Sequence, residues 1–103
     1  MKLITKKIEK ELTKYNLGSQ ENSGLDAKIL VKFFNPCGKG TWLVTEAEKQ
    51  ENGDWLFFGF VNLHEAEYGY FLLSDLESVK LPFGLKIERD LYFENKTLRD
   101  IKF

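Results

Sequence analysis

The chain has 103 residues, of which 43% are apolar and 15% aromatic, and its formal net charge is −1. This length predicts a single domain over residues 1–103, and the apolar content excludes an intrinsically disordered chain. No run of about 18 apolar residues predicts a transmembrane helix. The charged N-terminus lacks the apolar core of a signal peptide, and the lone Cys37 cannot form an internal disulfide. We therefore expect a cytoplasmic protein.

The first 18 residues predict an amphipathic helix. Thr5 is a suitable N-cap, and Gly18 follows the last apolar residue as a stop signal. Apolar side chains recur at helical spacing at Ile4, Ile8, Leu12 and Tyr15. Basic side chains occupy roughly the opposite face at Lys6, Lys10 and Lys14. This basic stripe favours a solvated outer face over phosphate contact.

Residues 28–73 predict four strands joined by short turns. Apolar alternation and β-branched or aromatic residues mark them at 28–34, 41–48, 55–63 and 68–73. In the first strand, Ile29, Val31 and Phe33 are expected to share a face. Asn-Gly at 52–53 is a strong hairpin signal. Three short connections in succession indicate an antiparallel meander.

A short helix and a fifth strand are predicted after the meander. Ser74 as N-cap and Glu77 at the third helical position form the pattern of a capping box. The fifth strand covers 85–94, with Arg89 as a polar misfit on its apolar face. A buried bridge from Arg89 to a carboxylate is the favoured interpretation, and contact with a ligand is the alternative. For 97–103, a short helix and a strand both remain open.

The third strand is apolar on both faces, so both faces need cover. Either the sheet curls into a barrel-like shape, or an aromatic patch stays exposed for a partner. We favour the curled sheet. The predicted fold is thus α+β, with a curled antiparallel meander of about five strands, an N-terminal helix and one or two short helices. The large side chains expected to be buried are Phe33, Trp42, Phe57 and Phe60.

Several segments resemble a bacterial family known as domain of unknown function 2958. They are "TWLVTEAE" (41–48), "EYGYFLLSDLESV" (67–79) and "GLKIERDLYF" (84–93), and the resemblance extends over residues 1–98. It implies a small α+β domain whose genes are common on conjugative elements and phage-like islands. It implies no established activity, so no catalytic residue is carried over.

Residues that could support catalysis are sparse. The only histidine, His64, precedes Glu65 and Glu67, but this is not the His-Glu-x-x-His zinc motif, which needs two imidazoles on one helical face. A general base remains the alternative to a plain turn histidine. Cys37 lies in a Pro-Cys-Gly turn without an adjacent base. We therefore predict no catalytic residue, no metal site and no cofactor.

Charge is distributed unevenly along the chain. Residues 44–77 hold eight acidic residues and one lysine, a net −7, whereas 1–43 carry a net +4 and 78–103 a net +2. Such asymmetry can attract a basic partner, although a solvated face is the simpler interpretation. The side chains predicted to bind that partner are Glu46, Glu48, Glu51, Asp54, Glu65 and Glu67.

The favoured function is therefore a non-enzymatic binding protein of a mobile genetic element. Its partner would be a protein with a basic surface, such as a defence nuclease, and an anti-CRISPR or anti-restriction role is a concrete version of this hypothesis. The alternative is a small hydrolase or metal-assisted enzyme centred on His64, using Glu65, Glu67 or Asp75. Direct nucleic-acid binding through the lysine stripe is disfavoured by the overall acidity.

Overall fold

The computed structural model describes residues 2–101, which form one antiparallel sheet with two short α-helices. The α-helices are α1 (Lys6–Leu12) and α2 (Leu73–Glu77). The strands are β1 (Val31–Phe34), β2 (Thr41–Lys49), β3 (Trp55–Asn62), β4 (Ala66–Leu72) and β5 (Glu88–Arg89). Three single 3₁₀ turns cover Gly24–Asp26, Pro82–Gly84 and Leu98–Asp100. Within the described residues, neither α-helix is long and apolar enough to cross a lipid bilayer.

The strand order is β4-β3-β2-β1-β5, and every pair is antiparallel. The first four strands form a meander, because each pairs with the next one in the chain. The predicted α+β fold with a five-stranded antiparallel sheet is thus confirmed. β4 and β5 lie at the two edges, so the sheet is open and does not close into a barrel.

One face of the sheet carries the main core. Val31, Phe33, Trp55, Phe57 and Phe71 are buried there, under apolar side chains from α1, α2 and the segments beside them. Burial of these side chains supplies the main driving force for folding. Of the four large side chains predicted to be buried, Phe33, Trp42 and Phe57 are, whereas Phe60 is only partly buried.

α1 begins as predicted but is shorter. The Thr5 hydroxyl accepts the Ile8 N–H (3.2 Å), which confirms the N-cap. The helix ends at Leu12, so the prediction that it reaches Tyr15 and stops at Gly18 is wrong. The backbone carbonyl of Tyr15 instead accepts the Ala47 N–H of β2 (2.9 Å). This contact draws the chain onto β2 beyond Val44, the last β2 residue that pairs with β1.

β2 contains an irregularity that changes which side chains share a face. Its register with β3 shifts between Val44 and Glu46. A Cβ atom at Gly59 would lie 1.8 Å from the Leu43 carbonyl oxygen, so only glycine allows the strands to approach this closely. Because of the shift, Val44 and Ala47 both belong to the main core.

A smaller apolar cluster covers part of the second face. It joins Ala27, Ile29, Leu43 and Leu98. The prediction that Ile29 shares a face with Val31 and Phe33 is therefore wrong, since β1 begins only at Val31 and the latter two side chains belong to the main core. The C-terminal segment that supplies Leu98 forms a 3₁₀ turn at Leu98–Asp100; residues 102 and 103 of the predicted 97–103 element lie outside the described residues.

Three further predictions for the C-terminal half are wrong. The fifth strand is only two residues long, and Leu85 and Leu91 are 42% and 60% exposed. Among residues 2–101, Arg89 bonds no carboxylate: its Nη1 donates to the backbone carbonyls of Lys2 (2.7 Å) and Leu3 (2.9 Å). The prediction of Ser74 as N-cap is also wrong, because α2 starts at Leu73 and Ser74 lies inside the helix.

Candidate functional site

Four aromatic side chains form a compact array on the second face of the sheet. The register of β3 and β4 places Phe58 opposite Tyr70 and Phe60 opposite Tyr68. Ring centroids are 4.9 Å apart in the first pair and 5.0 Å in the second, and a third contact joins Phe58 to Tyr68 at 6.0 Å. These distances are those of favourable aromatic pairs. We call Phe58, Phe60, Tyr68 and Tyr70 the aromatic patch.

The aromatic patch is open to solvent. Tyr70 is 66% exposed and Tyr68 is 51% exposed, while their cross-strand neighbours Phe58 and Phe60 are half-buried. Contiguous exposed apolar surface on a small domain is typical of an interaction site. The cross-strand contacts hold the rings in place, so a partner would meet a preformed surface. The sequence left two outcomes open for the apolar third strand, and the structure has the exposed patch.

The aromatic patch stays exposed because packing covers the opposite face of the sheet but only part of the face that carries the patch. Both α-helices contribute their buried side chains to the opposite face. On the second face, the smaller cluster centred on Leu43 of β2 reaches only as far as Phe60. β4 is an edge strand, so no further element lies beyond Tyr68 and Tyr70 in the sheet. Residues 2–101 thus leave this corner of the sheet uncovered.

A cavity of about 410 Å³ separates the aromatic patch from the polar loop 18–27. This volume is within the usual range of small-ligand sites, about 300–1,000 Å³. Its walls combine aromatic rings, carboxylates and backbone: Gly18, Gln20, Glu21, Gly24, Ala27, Thr45, Glu46, Phe58, Tyr68, Tyr70 and Leu98. The described lining thus contains two carboxylates and no Lys, Arg or His side chain.

Glu46 is the buried carboxylate in this wall, with only 4% of the residue exposed. One carboxylate oxygen accepts the Gly18 N–H (2.6 Å), and the other accepts the Gln20 N–H (3.0 Å). A buried charge is costly unless hydrogen bonds compensate it, and bonds from backbone N–H groups to a carboxylate are strong. Glu46 therefore fixes the start of the loop against β2.

Gln20 fixes the same loop from the other side. Its side-chain Nε2 donates to the backbone carbonyls of Lys28 (2.8 Å) and Thr45 (2.7 Å), and its Oε1 accepts the Lys28 N–H (2.7 Å). All three bonds are to backbone groups far from Gln20 in sequence. The loop wall of the cavity is therefore held by a specific hydrogen-bond network.

The six acidic residues predicted to bind a partner do not form one surface. Glu46 is buried, and Asp54 accepts hydrogen bonds from Trp55 and Ser74, so both have structural contacts inside the chain. Exposed carboxylates remain at Glu48, Glu51, Glu65 and Glu67. Only Glu48, opposite Leu56 in the register, shares the face of the aromatic patch.

The connectivity of the meander separates the other exposed carboxylates. Glu51 lies at the β2–β3 turn and Glu65 at the β3–β4 turn, and successive turns of an antiparallel meander lie at opposite ends of the sheet. β3 between them has eight residues, a length of about 26 Å. Glu67 is opposite Val61, on the face away from Tyr68. The carboxylates predicted to bind the partner therefore do not all share one face of the sheet.

The residues of the catalytic alternative lie away from the cavity lining. His64 is exposed in the turn before β4 and does not line the cavity beside the aromatic patch. Cys37 is exposed, and its N–H donates to the Asn35 side chain (2.8 Å). Within residues 2–101, no three His, Cys, Asp or Glu side chains are grouped closely enough to hold a metal ion.

Sequence reasoning singled out Glu46 but missed Gln20, Tyr68 and Tyr70, which build the cavity together with it. Tyr68 and Tyr70 alternate with period two in β4, which indicates a shared face, but the sequence does not show that this face lacks cover. The long-range contacts of Gln20 have no local signature. A glutamate inside the apolar run of β2 was the available signal for Glu46, since burial of a carboxylate requires donors from elsewhere in the chain.

Comparison with known proteins identifies the family. Residues 3–100 match the family model described as protein of unknown function (DUF2958), which is nearly the whole chain, and the chain therefore belongs to this family. The resemblance noted in the sequence is thus confirmed. None of the curated proteins and none of the solved structures matches the chain.

Proposed function

We propose that this DUF2958 member is a non-enzymatic binding protein that uses the aromatic patch to contact a protein partner with a basic surface. The observation that carries the proposal is the exposure of Tyr68 and Tyr70 beside Phe58 and Phe60 on one face of the sheet. Tyrosine is enriched at the centres of protein interfaces, because its ring buries a large area at a small cost in side-chain entropy.

The charge around the aromatic patch supports a basic partner. Glu21 and Glu46 line the cavity beside the patch, and Glu48 lies on the same face and is exposed. Carboxylates at the rim of an interface speed association with a positively charged partner and disfavour a negatively charged one. Of the six predicted carboxylates, the proposal thus keeps Glu46 and Glu48, and it adds Glu21 of the cavity lining.

The finer version of the proposal concerns the biological role. Proteins that handle nucleic acids present basic surfaces, and the family resemblance implies genes on mobile genetic elements. An anti-defence inhibitor that blocks the basic surface of a host nuclease, acting in the cytoplasm, is consistent with both. We infer this role by analogy, from the charge beside the aromatic patch and from the genomic setting. A binding experiment tests whether the patch holds a partner through exposed charges.

The test compares three forms of the chain as bait for proteins from a nuclease-treated lysate of the bacterial host. They are the wild type, the Tyr68→Ala/Tyr70→Ala variant and the control Tyr92→Ala, whose tyrosine is 94% exposed outside the patch. We expect the wild type and the control to retain the same partner, and the double variant to lose it. Retention should fall as salt rises, because ions screen exposed charges. Equal retention by all three forms would refute the patch as the binding surface.

A further inference from the structure

We infer that the cavity beside the aromatic patch receives an arginine side chain of the basic partner. This inference rests on the proposed function and adds the chemistry of its anchor. A guanidinium group is planar, always charged and weakly hydrated; it stacks on aromatic rings and binds carboxylates through paired N–H donors. The cavity offers both surfaces at once, because Phe58, Tyr68 and Tyr70 line one wall and Glu46 lines another.

Glu46 keeps hydrogen-bonding capacity for such a ligand. A carboxylate has about four acceptor sites on its two oxygens. Glu46 uses each oxygen for one backbone N–H, from Gly18 and Gln20. Each oxygen can therefore accept one further donor, and two parallel donors are what a guanidinium supplies. Gly18 and Gln20 also hold the carboxylate in a fixed orientation, which lowers the entropy cost of binding.

Burial strengthens the attraction of Glu46 for a cation. The residue is 4% exposed, and electrostatic interactions are stronger where water is excluded. The described lining provides no positive side chain to neutralise this charge. Two basic residues beside the loop have other partners: Lys28, which follows the loop, contacts Glu11 (3.3 Å), and Arg99 contacts Asp26 of the loop (3.1 Å). A cation from outside would thus meet a carboxylate that is held by two backbone N–H groups and has no positive side chain beside it in the described lining.

Glu21 and the tyrosines complete the site at its mouth. Glu21 is exposed, and its Oε2 lies 4.0 Å from the position that a Cβ atom would take at Gly18, whose N–H bonds Glu46. Both carboxylates therefore approach the same end of the loop. The exposed rings of Tyr68 and Tyr70 provide faces for cation–π contact with the guanidinium or its stem. An acidic or phosphate ligand would be repelled by this combination.

Arginine fits this site better than lysine. The lysine ammonium is a compact, strongly hydrated charge, so it loses more hydration on entering an aromatic-walled cavity and cannot pair two parallel donors with a carboxylate. We therefore expect the peptide acetyl-Gly-Arg-Gly-amide to bind more tightly than its lysine analogue. A citrulline analogue has nearly the shape of arginine without the charge, and it should bind at least about tenfold more weakly, since charge-assisted hydrogen bonds are roughly twice as strong as neutral ones.

The test is a titration of the full chain with these three peptides, followed by ¹H–¹⁵N NMR. The arginine peptide should cause saturable shifts of the Gly18 and Gln20 amides. Tyr70→Ala and Glu21→Gln should each weaken binding several-fold, and both residues are exposed enough for the fold to be retained. The controls Tyr92→Ala and Glu94→Gln, exposed outside the cavity, should bind like the wild type. No saturable shift, or equal binding of arginine and citrulline peptides, would overturn the inference.

The outcomes separate this inference from the proposed function. If the lysate partner depends on Tyr68 and Tyr70 but the arginine peptide binds no better than citrulline, the patch is an interface and the arginine anchor is wrong. If the arginine peptide binds as expected while all three baits retain the same proteins, the cavity recognises guanidinium and the proposed interface is wrong.

Discussion

Asp54 accepts two hydrogen bonds from Ser74, one from its backbone N–H (3.1 Å) and one from its hydroxyl (2.5 Å), although 20 residues separate them. The same carboxylate accepts the N–H of Trp55 (2.8 Å). Asp54 thus joins the end of the β2–β3 hairpin to the first turn of α2. The hydroxyl bond from Ser74 is the main cause that lowers the pKa of Asp54, and the two backbone bonds act in the same direction.

This contact predicts a specific dependence of stability on pH. A carboxyl whose pKa is lowered on folding stabilises the protein above its unfolded pKa, and this contribution is lost as pH falls through the folded pKa. Asp54→Asn should reduce the free energy of unfolding at pH 7 by about 1–2 kcal/mol. We expect a value near the lower limit of this range, because the site is partly exposed. Urea unfolding at pH 7 and pH 3 should show a smaller difference between variant and wild type at pH 3.

Ser74→Ala is the matching change on the other side of this contact. A double-mutant cycle of Asp54 and Ser74 should give a coupling free energy of about 0.5–2 kcal/mol at pH 7. Additive effects of the two changes would contradict the contact as a source of stability.

Glu46 should contribute more to stability than its neighbour Glu48. Glu46→Ala leaves the N–H groups of Gly18 and Gln20 without their acceptor and should cost about 2–3 kcal/mol in the free energy of unfolding. Glu48→Ala, two residues along the same strand and exposed, should change it by less than about 0.5 kcal/mol. Urea unfolding measures both values. Amide hydrogen exchange at Gly18 and Gln20 should accelerate only in the Glu46 variant, and equal costs for the two changes would contradict the assigned role.

The fold was largely predictable from local patterns, whereas the candidate site was not. Alternating apolar residues and the Asn-Gly turn were sufficient for the meander, since strand faces and hairpins depend on neighbouring residues. The register shift in β2 depends on the close approach of Gly59 to Leu43, a contact between two strands. The hydrogen bond from Ser74 to Asp54 and the bond from Gln20 to the Thr45 carbonyl likewise join residues that are distant in sequence. Period-two alternation carries no information on such contacts.

Phe57 is expected to be one of the most important side chains of the main core. It is fully buried, and its ring lies 5.9 Å from that of Phe33 and 5.5 Å from that of Phe71. Phe57→Ala should lower the free energy of unfolding by about 3–5 kcal/mol, because it removes buried area and leaves a cavity. The matched control is Tyr70→Ala in the aromatic patch, with an expected change below about 1 kcal/mol. A small effect at Phe57 would place its ring outside the core.

Arg89 is expected to stabilise the attachment of the N-terminal segment. Its Nη1 donates to the carbonyls of Lys2 (2.7 Å) and Leu3 (2.9 Å), and the Leu3 side chain is buried in the main core just before α1. Arg89→Ala should cost about 1–3 kcal/mol in the free energy of unfolding, since hydrogen bonds from a charged donor are stronger than neutral ones. Arg99→Ala is the control, because its ion pair with Asp26 is exposed and such pairs contribute about 0.2–1 kcal/mol. Thermal unfolding of both variants, with hydrogen exchange along α1, measures the difference. If Arg89→Ala were no more destabilising than Arg99→Ala and left exchange along α1 unchanged, these carbonyl contacts would not hold the segment in place.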